Sequence, residues 1–195
     1  MISLISGLFS TLAAMLLGFG ALFVSNAAAA DWGLAVLLED IAMSNAGVAR
    51  FAERKFIAAL DTPVDTTGEL VFIKPARLEK RTLKPRSETL ILDGDDMIVD
   101  RNGSRRTFSL KQLPQAVALV ESLRATLAGD RQTLERVFNS KLEGTAAQWS
   151  LLLVPKSAQM GDVLKDVRIS GERGQLNLIE LEQTNGDRSV MRIWR

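Results

Sequence analysis

Along this chain the spacing of apolar positions changes repeatedly, and each change marks an element. Leu8 to Val24 is a largely apolar run without a charge. In "DWGLAVLLEDIAMSN", Leu34, Leu37, Leu38 and Ile41 recur at spacings of three and four. That period predicts an amphipathic helix, with Asp31 as its cap and Gly47 as its end. A strand-like region follows. "ARFAERKFIAAL" reads as an extended first strand, and "GELVFIKP" and "ARLEKRTLKP" each end on a proline, as strand ends and edges do. "ETLILDGDDMIVDRNGSRRTFSL" reads as a meander. Its Asp93-Gly94 and Asn102-Gly103 pairs suit tight hairpin turns, whose central residues need positive φ.

The period then returns to that of a helix. In "LPQAVALVESLRATLAGD", Leu113, Val117, Val120, Leu123 and Leu127 form one stripe. Pro114 suits the first turn and Gly129 the exit. Asp130 can cap a shorter helix carrying Leu134, Val137 and Phe138. "QWSLLLVPK", "DVRISG", "QLNLIELEQTN" and "DRSVMRIWR" complete the chain as strands, with turn signals at Gly171 to Gly174 and at Asn185-Gly186. The sum is an α+β chain: a long, mostly antiparallel sheet, a helical pair inserted between strands and a helix in front. A sheet of this length must curl and cover one face. If it curls into a half-barrel, the helices can lie across its mouth as a lid over an apolar interior. Pattern alone favours a packed core over such a cavity.

Composition removes whole classes of chemistry. The 195 residues include no His, Cys or Tyr. No disulfide can form, and imidazole or thiolate metal sites and His-dependent triads are excluded within this chain. With 24 basic and 23 acidic residues the charge is nearly balanced, which argues against a nucleic-acid partner. The leading apolar run ends in Ala27-Ala28-Ala29-Ala30, a small-residue cleavage pattern, although "MISLISG" before it has no Lys or Arg. Residues 1–30 are therefore expected to be a cleaved signal peptide, with an uncleaved anchor as the alternative. Residues 31–195 are expected to form a single domain working outside the cytoplasm.

One stretch is locally basic. Lys74, Arg77, Lys80, Arg81, Lys84 and Arg86 face a single acid, Glu79. A solvated strand face with edge-protecting Lys is the commoner meaning of such a run. A docking surface made of Lys80, Arg81, Lys84 and Arg86 is the next reading. Asp93, Asp95 and Asp96 cluster around Gly94, but their spacing is that of a turn and not of a calcium loop. No pair of carboxylates is singled out for hydrolysis.

Four stretches, in this order, resemble the LolA-like periplasmic carriers of outer-membrane lipoproteins. They are "GELVFIKPARLEKRTLKP", "LILDGDDMIV", "WSLLLVPK" and "IELEQTNGDRSVMRI". The resemblance spans residues 31 to 195. It implies an incomplete β-barrel with a helical lid and an apolar cavity that shields acyl chains, and so reverses the preference for a packed core. It also implies a monomeric, non-enzymatic carrier without a cofactor or metal, served by an inner-membrane donor complex and an outer-membrane acceptor. Lipid chains need such shelter in water, because each buried methylene is worth about 0.8 kcal/mol.

The expected lipid-binding residues are Phe51, Phe56, Leu70, Phe72, Leu78, Leu90, Leu92, Leu113, Val117, Val120, Leu123, Leu151 and Leu153. The three Phe residues suit either cavity wall or core. Leu78 falls where the family has an apolar residue near the cavity entrance, and alternation puts Leu90 and Leu92 on one inward face. Lys80 and Thr82 share the phase of Leu78. Lys74 holds the basic position that in the family helps latch the lid to the barrel. The alternative function is a sensor or interaction module of the same fold, binding a protein partner through the basic strands.

Overall fold

The computed structural model describes residues 32–112 and 114–195, without the side chains of residues 114–116, 118 and 119. The expected signal peptide, the Asp31 cap and Leu113 lie outside the described residues. Helix α1 (Leu34–Ser44) buries Leu37, Leu38 and Ile41. Its last turn is closed by Asn45, whose side-chain amide donates to the Ile41 carbonyl at 2.9 Å. Gly47, expected to end the helix, instead opens the first strand at φ 103°.

Six antiparallel strands follow: β1 (Gly47–Phe56), β2 (Val64–Ile73), β3 (Arg77–Lys84), β4 (Glu88–Asp93), β5 (Asp96–Arg101) and β6 (Ser104–Ser109). The Lys74-Pro75 and Lys84-Pro85 bonds at the two ends of β3 are cis. The hairpins fall at the Asp-Gly and Asn-Gly pairs. Gly94, Asn102 and Gly103 take φ values of 53°, 53° and 80°, as such turns require. After a short 3-10 turn, Leu110–Gln112, come α2 (Pro114–Ala128) and α3 (Arg131–Val137). Asp130 caps α3 by accepting from the Thr133 amide at 2.9 Å. Then come β7 (Phe138–Thr145), β8 (Gln148–Pro155), the one-turn α4 (Ala158–Gly161), β9 (Leu164–Glu172), β10 (Gln175–Gln183) and β11 (Arg188–Trp194). Strand β7 corrects the sequence reading, which carried the helix through Phe138. Only Phe138 and Leu142 of this edge strand are large apolar residues on the covered face, too few to show alternation.

All eleven strands form one sheet in the order β6-β5-β4-β3-β2-β1-β11-β10-β9-β8-β7. The first and last strands pair in its middle, Phe51 opposite Ile193 and Glu53 opposite Met191. The free edges β6 and β7 are consecutive along the chain and are joined by α2 and α3. The sheet is therefore curled but not closed, the incomplete barrel with lid helices that the sequence led us to expect. The main core lies where α1, α2 and α3 cover β7 to β10. Leu37, Leu38, Ile41, Leu134, Phe138, Trp149, Leu151, Leu153, Val167 and Ile169 are buried there. A smaller cluster of Leu92, Leu110 and Val120 joins the start of the lid to β4.

Gly68 of β2 sits at a register shift against β3. A Cβ there would strike the Arg81 carbonyl oxygen and crowd the Phe51 ring. Backbone cannot retreat as a side chain can. Gly68→Ala is expected to destabilise the protein by about 1–3 kcal/mol, read by urea unfolding.

Candidate functional site

The half of the concave face that the helices do not fill encloses a cavity of about 520 Å³, the size range of small-molecule sites. Strand alternation explains its wall. The ladder puts Ala49, Leu70, Lys80 and Leu90 in one row across β1 to β4. Phe72, Leu78, Leu92 and Met97 form the next row across β2 to β5. Ile179 and Leu181 of β10 and Met191 and Ile193 of β11 continue the wall, and Val120, Leu123 and Leu127 of α2 roof it.

Of the residues expected to bind lipid, Phe56, Leu70, Phe72, Leu78, Leu90, Leu92, Val120 and Leu123 line this space. Val117 packs beside it against the Leu92 cluster. Three others need correction. Leu151 and Leu153 do face inward, but the helices cover them completely and they belong to the core. Phe51 is likewise fully buried, with its ring under the Lys80 ammonium group. The sequence reading left out Met97, Leu127, Ile179, Leu181, Met191 and Ile193. Leu127 already lay on the α2 stripe, and the other five follow from alternation once the sheet order is known.

Lys80 is the largest correction. The basic run suggests a solvated or partner-docking residue, yet the Lys80 side chain is only 21% exposed and pairs with Glu53, which is 5% exposed. Lys80 and Glu53 are separated by β2, where Gly68 has no side chain to block the path. The ammonium group crosses there, 5.0 Å above the centre of the Phe51 ring. Glu53 also accepts from Ser189 Oγ at 2.6 Å and Thr66 Oγ1 at 3.3 Å, and Lys55 Nζ lies 3.7 Å away. Burial pushes the Glu53 carboxyl up. The Lys80 and Lys55 charges, with hydrogen bonds from Lys80 and Ser189, outweigh it and hold the group below its ordinary value. Burial also brings Lys80 below the usual lysine range, against the pull of Glu53. At the rim, Arg188 stacks on Phe56, 4.4 Å from the ring centre.

The rest of the basic run behaves differently. Arg77 and Arg81 both donate to Glu79 on the convex face, Arg77 at 2.8 Å and Arg81 at 2.6 Å. Burial pushes the Glu79 carboxyl up, but these bonds hold it below its ordinary value. Much of the apparent patch is thus neutralised. Lys84 and Arg86 are exposed and have no acidic partner among the described residues. Asp93 and Asp95, flanking the turn, pair with Arg77 and Lys111.

Lys74, just after β2, is exposed and makes no hydrogen bond or ion pair to the lid among the described residues. The lid is tied from its own side. Arg124 of α2, 9% exposed, donates Nη1 to the Gly94 carbonyl of the β4–β5 hairpin at 2.7 Å. Sequence reading passed over it because a charge on an apolar helix looks solvated. Arg124→Met is expected to speed amide hydrogen exchange in α2 while leaving β8 to β10 unchanged.

The match that decides the family covers nearly the whole domain. The model of the outer membrane lipoprotein carrier protein LolA-like family matches residues 24–192. The chain belongs to this LolA-like family. No curated protein matches it. Among solved structures, a LolA superfamily protein of Nitrosomonas europaea is similar at 12% identity and a TM-score of 0.44, over 82% of this chain and 90% of that one. The MucA/MucB complex of Pseudomonas aeruginosa is similar at 11% identity and a TM-score of 0.44, over 82% of this chain and 55% of that one. The lipoprotein LppX of Mycobacterium tuberculosis follows at 11% identity and 0.40, over 80% and 92%. Among the described residues of this LolA-like chain, no helix is long and apolar enough to cross a membrane.

Proposed function

We propose that this LolA-like protein is a periplasmic carrier that takes up the acyl chains of a lipoprotein or lipid and ferries them towards the outer membrane. The observation that carries the reading is the apolar cavity under α2. Acyl chains would lie between Leu70, Phe72, Leu78, Leu90 and Leu92 below and Val120 and Leu123 above. Met97 and Met191 give the wall side chains that adapt to chain shape. Loading swings α2 outward at the Arg124–Gly94 tie, and release lets it return. No bond is made or broken in such a cycle, so the role is not enzymatic. Residues 1–30 direct export, and residues 31–195 carry cargo as a monomer. Lys84 and Arg86 offer exposed charge to the inner-membrane donor or the outer-membrane acceptor.

Uptake of a fluorescent acyl probe tests this reading. Saturable binding to purified protein is expected, together with co-purified lipid in native mass spectra of protein taken from a Gram-negative periplasm. Absence of both overturns it.

A further inference from the structure

The polar cluster set into the cavity wall is not neutral. Two ammonium groups, Lys80 and Lys55, share one carboxylate, Glu53. Glu88 stands next in line, but it already pairs with Arg101. Glu53 is well supplied, with two hydroxyl donors besides Lys80. Lys80 is not. An ammonium has three N–H donors, and Glu53 takes one of them over the Phe51 ring. Lys80, Lys55 and Ser189 all line the cavity, so the unspent donors face the space where cargo would lie.

An ion pair is an odd choice for a wall that only has to be greasy. Desolvating both charges costs free energy that apolar side chains would save. Such a pair has a use if the ligand exchanges with one member of it. Building on the carrier reading, we propose that the preferred cargo is an anionic amphiphile. Its carboxylate or phosphate oxygen docks on Lys80 and Lys55 beside Ser189, and its chain runs along Leu70, Leu78 and Leu90. A neutral ester has no charge to bring to the cluster and gains only the apolar contact. In a site this shielded, a charge-assisted hydrogen bond is roughly twice as strong as a neutral one.

A fluorescent long-chain fatty acid and its methyl ester form the test pair, titrated into the full chain by fluorescence at neutral pH. The acid is expected to bind about tenfold or more tightly than the ester. Glu53→Gln removes the internal competitor and is expected to widen that preference. The double variant Lys80→Met/Glu53→Gln keeps the site uncharged at both positions, so it folds without an orphaned charge. It is expected to lose most of the preference for the acid, keeping only what the more exposed Lys55 supplies. Equal binding of acid and ester by the parent, or a full preference for the acid in the double variant, overturns the proposal. If neither probe binds any of the proteins, the carrier reading fails instead.

Discussion

Lys80→Met alone is expected to destabilise the protein by about 3–5 kcal/mol, because it strands the buried Glu53 carboxylate without its main counter-charge. For a chain of this size the midpoint of thermal unfolding should drop by roughly 10 °C. Lys55, 3.7 Å from Glu53 and 44% exposed, is too solvated to substitute. Neutralising Glu53 as well, in Lys80→Met/Glu53→Gln, is expected to return stability to within about 1 kcal/mol of the parent, since a balanced apolar replacement of a buried pair is often neutral. Urea unfolding of the parent, both single variants and the double variant measures the coupling directly. A double variant as unstable as Lys80→Met would show that the pair is not what the site depends on.

The same pair sets a pH dependence. In the fold the Glu53 carboxyl titrates below its ordinary 4.5. Its contribution to stability is therefore whole above the ordinary carboxylate range. It is lost as the pH falls through the lower folded value. The groups that face Glu53 are Lys80, Lys55, Ser189 and Thr66. In the double variant this part of the acid sensitivity should vanish. Some remains, because Asp65, Glu79 and Asp95 are also held low by basic partners.

Ala49→Trp is expected to abolish acyl uptake without unfolding the chain. Ala49 stands in the wall row with Leu70, Lys80 and Leu90, and its side chain is the smallest there. An indole at that point takes the room of several methylenes of cargo. Losing contact for only two of them weakens binding by about tenfold. The acyl-probe titration reads the loss, and unchanged circular dichroism shows that the sheet is intact. Uptake equal to that of the parent would mean that acyl chains do not occupy this space.

Much of the fold was legible because its signals are local. The Asp93-Gly94 and Asn102-Gly103 turns fix two hairpins, and the Val120, Leu123 and Leu127 stripe fixes the face of α2. What could not be read depends on distant parts of the chain. Leu151 and Leu153 are inward by alternation, but inward becomes core where helices cover the sheet and cavity where they do not. Lys80 shares the phase of Leu78, so its direction was written in the strand. Its charge argued the other way because its partner lies 27 residues earlier, across an intervening strand. Arg124 gave no local signal for the same reason: its acceptor is a hairpin carbonyl 30 residues away.

The arrangement of the free edges has a mechanical consequence. The sheet is continuous from β6 to β7, and the gap in the ring falls between those two strands. The segment that bridges the gap is the helical one that roofs the cavity. Spreading the gap therefore breaks no ladder hydrogen bond. It strains side-chain packing, the Arg124 tie and the Leu110 and Lys111 bonds to Asp95 instead. The molecule works like a sprung collar with a strap across its opening, in which girth and access are set by one movement, and bulkier cargo can be admitted without unzipping a strand.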